Sequence, residues 1–223
     1  MRTGKEIVSR ALEVLRQEGI KSLWFKILGE TVYRRMVLFE RSLDGPIAEV
    51  IPRLPVTIRP LRDADVLEYT RFRPEISPDE VHRRLASGQM CFAAWYEGRI
   101  VHAAWVAMGR AWIGYLAREV ALASDDIYYY ESFTAPDFRG QNIAGASLSY
   151  MQQALQKAGY RRILAAIMPE NKPAFRPVEK TGFRPIGVMG YVRLGPWRWD
   201  FIHLRPGARP PGQPVYPCDA DYW

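Results

Sequence analysis

The stretch Tyr128-Tyr129-Tyr130-Glu131-Ser132-Phe133-Thr134-Ala135-Pro136-Asp137-Phe138-Arg139-Gly140-Gln141-Asn142-Ile143-Ala144-Gly145-Ala146 decides the fold. Aromatic and hydroxyl side chains dominate residues 127–134 and predict a β-strand. The strand ends at Ala135-Pro136-Asp137, because Pro136 has no N–H to give a ladder and Asp137 favours a turn. Residues 142–157 then predict a helix: Ile143, Leu148, Met151 and Leu155 recur at helical spacing, and Gly159 stands where a C-terminal stop belongs. A strand, a short loop of small residues and a helix leave several N–H groups without intrahelical partners. At the positive end of a helix dipole, such a nest holds anions, phosphates above all.

Two nucleotide motifs are excluded at this turn. The sequence has no Gly-x-x-x-x-Gly-Lys-Ser/Thr, and no Gly-x-Gly-x-x-Gly opens an early βαβ unit. What stands there is Arg139-Gly140-Gln141-Asn142-Ile143-Ala144. It resembles the acyl-CoA signature Gln/Arg-x-x-Gly-x-Gly/Ala of the GNAT N-acyltransferase superfamily. A second block, running from Asn171-Lys172-Pro173-Ala174 to Lys180-Thr181-Gly182-Phe183, resembles that family's Asn-x-x-Ala…Lys-x-Gly-Phe helix at the expected distance downstream. The resemblance covers roughly residues 56–204. Two positions depart from it. Asn142 replaces the usual Gly, and Asn tolerates left-handed backbone better than other non-Gly residues. Val178 stands where many members carry the Tyr that protonates the leaving thiolate, so that acid is missing from its usual place.

The resemblance implies an α/β (α+β) fold: a mixed, mostly antiparallel sheet flanked by helices. Working outward, residues 56–59 predict the first strand. Asp63 caps a helix to about residue 69, and Ser77-Pro78-Asp79-Glu80 is a capping box for a helix to about residue 86. Residues 91–96 and 100–107 alternate around Glu97-Gly98-Arg99 as a hairpin, and residues 112–117 form another short strand or shape the acceptor mouth. Residues 162–167 predict a buried strand, 173–180 a short helix, and 183–194 with 198–204 a last hairpin. Upstream, residues 3–17 and 22–43 predict two helices, the second basic with Trp24, Phe25, Tyr33 and Phe39 among its apolar positions. The chain therefore divides into an N-terminal helical extension (1–50), an acyltransferase domain (56–205) and a Pro/Gly-rich tail (206–223).

The 223 residues, 48% of them hydrophobic, suffice for one ordinary domain with an appendage. Lys and Arg number 31 against 24 Asp and Glu, a net charge of +7 that suits anionic partners such as CoA phosphates or an acidic membrane face. No nucleic-acid motif is visible, and nucleic acid is not an expected partner. No apolar run reaches the ~20 residues of a membrane span, and no signal-peptide pattern opens the chain. Cys91 and Cys218 lie far apart, which favours a reducing cytoplasm. His82, His102 and His203 show no metal spacing with them, so no metal is expected.

Acyl transfer to an amine needs a held pyrophosphate, an oriented thioester and a base, because free alkyl amines are mostly protonated at neutral pH. The N–H groups of Arg139, Gly140, Gln141, Asn142, Ile143 and Ala144 suit the first task, with the Arg139 side chain adding a charge-assisted bond. The resemblance implies main-chain groups around Phe133 and Thr134 for the thioester. Glu131 is the first candidate base, its carboxyl raised by partial burial among aromatics, or else only the partner of an acceptor or a basic neighbour. Asp125 and Asp126 are alternatives through water. Tyr130 and Tyr128 are candidate acids, or strand-packing residues. Asn171 bonds the CoA arm or caps its helix. Trp112, Tyr115, Tyr128 and Tyr130 line an acceptor pocket or belong to the core.

The expected activity is transfer of an acetyl or other acyl group from acetyl-CoA or another acyl-CoA to a primary amine, most simply of a small molecule. Two rivals stand beside it: a non-catalytic CoA-binding module, motivated by Val178, and a membrane-associated enzyme acting on lipid-linked or protein amines. The apolar stripe of residues 23–39 must cover the domain, a second copy in a homodimer, or a membrane surface.

Overall fold

A computed structural model describes residues 32–212 and 214–215. Eight strands form one sheet in the order β10-β9-β1-β8-β7-β4-β3-β2. They are β1 (Tyr33–Ser42), β2 (Thr57–Pro60), β3 (Met90–Tyr96), β4 (Arg99–Met108), β7 (Asp126–Thr134), β8 (Arg162–Ile167), β9 (Arg184–Leu194) and β10 (Trp197–Leu204). Every pairing in it is antiparallel except β7 with β8. A second, three-stranded sheet joins β5 (Arg110–Ile113), β6 (Arg118–Ala121) and β11 (Pro214–Val215). The helices are α1 (Val66–Phe72), α2 (Pro78–Ala86), α3 (Ile143–Lys157) and α4 (Lys172–Lys180). This is the mixed, mostly antiparallel sheet with flanking helices that the resemblance implies.

Each face of the large sheet buries its own apolar layer. On one face Leu148, Met151 and Leu155 of α3 and Val178 of α4 pack on Phe39, Ile127, Ile163 and Ala165. On the other, Ala111, Ile113, Leu116 and Val120 of the β5–β6 hairpin pack on Leu38, Tyr128, Leu164 and Met189. Beside them Val66, Tyr69 and Val81 of α1 and α2 cover Cys91, Ala103 and Trp105, and the Trp105 indole donates to the Tyr69 hydroxyl at 2.7 Å. The Ser77 hydroxyl accepts the Glu80 N–H at 3.2 Å and starts α2, as its capping pattern predicts.

Two expectations are corrected. Residues 33–42 are not the end of a helix but strand β1, inserted between β9 and β8. Phe39 faces α3 while Met36 and Leu38 face the β5–β6 layer. A strand buried on both faces is apolar at successive positions, and such a run cannot be told from a buried helix by periodicity. The remaining helical expectations, residues 3–17 and 22–31, lie outside the described residues, as does the tail's aromatic end beyond residue 215. The single strand expected at 112–117 is a hairpin with a 3-10 turn at Gly114–Leu116, which Ala117 closes in left-handed backbone at φ 43°. The described part of the tail is tied down rather than free. Arg162 donates to the carbonyls of Arg209 and Pro210, and Arg209 pairs with Asp125 at 2.6 Å.

A candidate acyl-transfer site

Strands β7 and β8 pair from Asp126–Arg162 to Tyr129–Ala165, and there the parallel ladder stops. Strand β7 continues to Thr134 with β4 alone. The β4–β7 register shifts between Ala103 and Trp105, and Glu131 sits at φ 48° in that interval. An extra residue at a bulge bends its strand and ends pairing locally. Among the described residues, the backbone of residues 130–134 thus has no ladder partner on its β8 side. Ligands of sheets with parallel strands collect beyond carboxyl ends where neighbours part.

The turn at residues 136–142 follows directly. A 3-10 turn at Pro136–Phe138 leads to Gly140 at φ 78° and Asn142 at φ 61°, and α3 starts at Ile143. Asn142 takes the left-handed backbone expected of it. The N–H groups of Gly140, Gln141, Asn142 and Ile143 meet no backbone carbonyl among the described residues. The turn is braced from behind: Asn142 Nδ2 donates to the Ile51 carbonyl at 2.7 Å, and the Arg53 N–H donates to the Gln141 carbonyl at 2.9 Å. Lys180 Nζ donates to Asn142 Oδ1 at 3.0 Å. A Cβ on Gly145 would lie 3.2 Å from both Asn142 Oδ1 and the Val50 side chain, so glycine lets the segment lie this close without either shifting. Arg139 Nε reaches the Thr134 carbonyl at 3.3 Å, and its guanidinium lies 5.9 Å from the Phe133 ring. Phe133, Thr134 and residues 139–144 therefore come together as one rim. Asn171 lies at the start of α4 and makes no side-chain cap bond. Lys180, at the other end of that helix, is the residue that reaches the turn. Val178 is buried in the core.

Glu131 is not where its expected burial would put it. The bulge breaks the in–out alternation and turns the side chain outward, leaving the carboxylate 36% exposed. Its oxygens accept from Arg84 Nη1 and Nη2 at 2.6 and 3.1 Å. Of the readings open to Glu131, the geometry displays the pairing with a basic neighbour. Arg84 was not singled out from sequence, because α2 brings it across from 47 positions away. The Tyr130 hydroxyl donates to Gln89 Oε1, and burial pushes its phenol well above the usual value. Tyr128 stacks on Tyr130 with ring centroids 6.2 Å apart and belongs to the core. Trp112 is half exposed, and Tyr115 lies under Arg34. Asp125 and Asp126 stand at the opposite end of β7, roughly 25 Å from Thr134 at strand rise. Asp126 is buried against Arg162, and hydrogen bonds from Arg209 hold Asp125 down at about 2. Neither is placed to act as a base here.

Residues 58–183, more than half of the chain, match the family model described as the acetyltransferase (GNAT) family. The chain belongs to the GNAT family. Solved GNAT structures share its fold. A GCN5-related N-acetyltransferase from Sphaerobacter thermophilus superposes with a TM-score of 0.52 at 14% identity, over 75% of this chain and 54% of that one. A GNAT-family acetyltransferase from Colwellia psychrerythraea gives 0.52 at 10% identity, over 76% and 59%. A GNAT-family protein from Novosphingobium aromaticivorans DSM 12444 gives 0.51 at 18%, over 71% and 62%. The chain thus spans less than two thirds of the length of each. No curated protein sequence matches. Among the described residues of this GNAT protein, no helix is long and apolar enough to cross a membrane.

Proposed function

We propose that this GNAT domain moves an acetyl or other short acyl group from acyl-CoA to a primary amine of a small molecule. One observation carries the reading: β7 leaves β8 directly beside a turn whose N–H groups, from Gly140 to Ile143, lack backbone acceptors among the described residues. The turn suits a pyrophosphate, with Arg139 adding charge, and the unpaired backbone of residues 130–134 suits a pantetheine arm and thioester. The amine nitrogen attacks the thioester carbonyl, the C–N bond forms and the C–S bond breaks. The ammonium gives up two of its three protons, the first to Glu131 or to water and the second to solvent, and the thiolate takes one from solvent or Tyr130. Glu131 accepts a proton only after exchanging its Arg84 partner. Asn171 is placed with the CoA arm by resemblance alone. Residues 56–205 carry the chemistry in this reading, together with β1, in a protein acting in the cytoplasm.

The test is calorimetry with acetyl-CoA followed by thiol release across an amine panel. Binding and amine-dependent release are expected. A specific observation favours a second reading, a CoA-binding module without turnover: Glu131 and Tyr130 are both already partnered, and Val178 faces the core. Binding without release on any amine selects it.

A further inference from the structure

Arg84 is fixed independently of Glu131. Its Nε donates to Glu80 Oε1 at 2.7 Å within α2, and its guanidinium lies 5.2 Å from the Trp105 ring and 5.7 Å from the Tyr130 ring. Only the outer pair of nitrogens, Nη1 and Nη2, is given to Glu131. Glu131 in turn is held at a left-handed φ of 48°, a conformation that costs a non-glycine residue energy and collects at functional sites. The ion pair stands at the carboxyl-end opening of β7, on the residue two before Phe133. An amine that reaches Glu131 must displace the guanidinium, which Glu80 and the two rings keep in place with its fork open. A simple ammonium arriving there meets a neighbouring cation and leaves that fork unpaired. A molecule carrying both charges meets neither penalty.

We infer that the acceptor is zwitterionic, and that the Arg84–Glu131 pair exchanges partners with it. The acceptor ammonium takes the Glu131 carboxylate, and its own carboxylate or phosphate takes the Arg84 fork. Two ion pairs replace one, with no net charge moved. Bidentate geometry suits a planar carboxylate best, which points to amino acids. The inference rests on the acyl-transfer reading of the same site. In the reaction the ammonium yields one proton to Glu131, its nitrogen attacks the thioester carbonyl, the C–N bond forms and the C–S bond breaks, and the second proton lost by the nitrogen passes through solvent to the thiolate.

The experiment uses the full chain, acetyl-CoA and matched triplets: an amino acid, its methyl ester and the decarboxylated amine. Turnover and calorimetric acceptor binding are both read, in wild type, Arg84→Gln and Arg84→Lys, with acetyl-CoA affinity as the check that each variant is folded. The amino acid is expected to exceed its ester and amine in kcat/KM by roughly tenfold or more, the worth of a charge-assisted bidentate contact. That preference is expected to vanish in Arg84→Gln and to return in part in Arg84→Lys. Esters and amines used as well as amino acids, or a preference that survives Arg84→Gln, overturn the inference and leave acyl transfer standing. Acetyl-CoA binding with no acceptor bound or acylated overturns both.

Discussion

Asp126 and Arg162 face each other on the first rung of the parallel pair, with Arg162 Nε and Nη2 donating to the two carboxylate oxygens at 2.9 and 2.6 Å. Both residues are buried, and Glu40 stands 3.6 Å from the same guanidinium. The strands that part at Tyr129 are therefore clamped at their other end. Removing one member of a buried pair strands the other charge, at a cost of about 3–5 kcal/mol. Asp126→Ala is expected to cost towards the lower end, because Glu40 remains. Urea unfolding measures it, and a loss below ~1 kcal/mol contradicts the clamp.

Arg139→Glu places a carboxylate on the anion turn and is expected to weaken acetyl-CoA binding in calorimetry without unfolding the protein. Asn142→Gly suits φ 61° but loses the bonds to Ile51 and Lys180 and is expected to cost about 1 kcal/mol, whereas Asn142→Val adds backbone strain on the order of 1–3 kcal/mol to the same loss. Unchanged affinity in Arg139→Glu removes the turn from the site.

Glu131→Gln keeps the shape of the side chain and removes its basicity. Turnover is expected to fall by about 10²–10⁴-fold with acetyl-CoA affinity kept. Wild-type turnover in the variant ends the assignment of Glu131 as base.

His102 is fully buried, with Nδ1 2.8 Å from Thr134 Oγ1 and no partner for Nε2 among the described residues. Burial pushes its imidazole from 6.5 down to about 4. Between those values the unfolded chain binds a proton that the fold refuses. Stability is therefore full above about 6.5 and is lost as pH falls towards 4, by on the order of 3 kcal/mol. His102→Asn keeps a polar group near Thr134 and removes the titration. Denaturation across pH 4–7 is expected to show a shallower slope in the variant, and equal slopes refute the account.

Deleting residues 1–50 removes β1 and leaves β8 and β9 without the strand between them. Insoluble or unfolded protein is expected. A soluble, cooperatively melting fragment contradicts the central place of β1. Gly190→Ala tests the same contact more gently. Its Cβ would lie 2.1 Å from the Arg34 carbonyl, so β1 and β9 must separate, at about 1–3 kcal/mol.

The conformation of the turn at residues 136–142 was legible because its instructions are local. Pro136, the small residues and the start of α3 lie within ten positions, and a left-handed site tolerating Asn is a property of one residue. The strand at 162–167, the Ser77 cap and the hairpin around Gly98 were legible for the same reason. Strand β1 was not, because α3 and the β5–β6 hairpin bury its two faces while β8 and β9 flank it, and all of these lie far along the chain. The exposure of Glu131 was equally hidden. Alternation predicts an inward side chain, and only the register slip against Ala103 and Trp105 turns it out.

The sequence by itself determined the family, the turn at residues 139–144 and most of the elements around it, since each depends on residues close together in the chain. Tertiary structure alone decided what the site residues touch. Arg84 meets Glu131 across 47 positions, Lys180 meets Asn142 across 38, and Gln89 meets Tyr130 across 41. Side-chain contacts between distant segments follow from how helices and strands pack, and no local pattern of residues encodes that geometry.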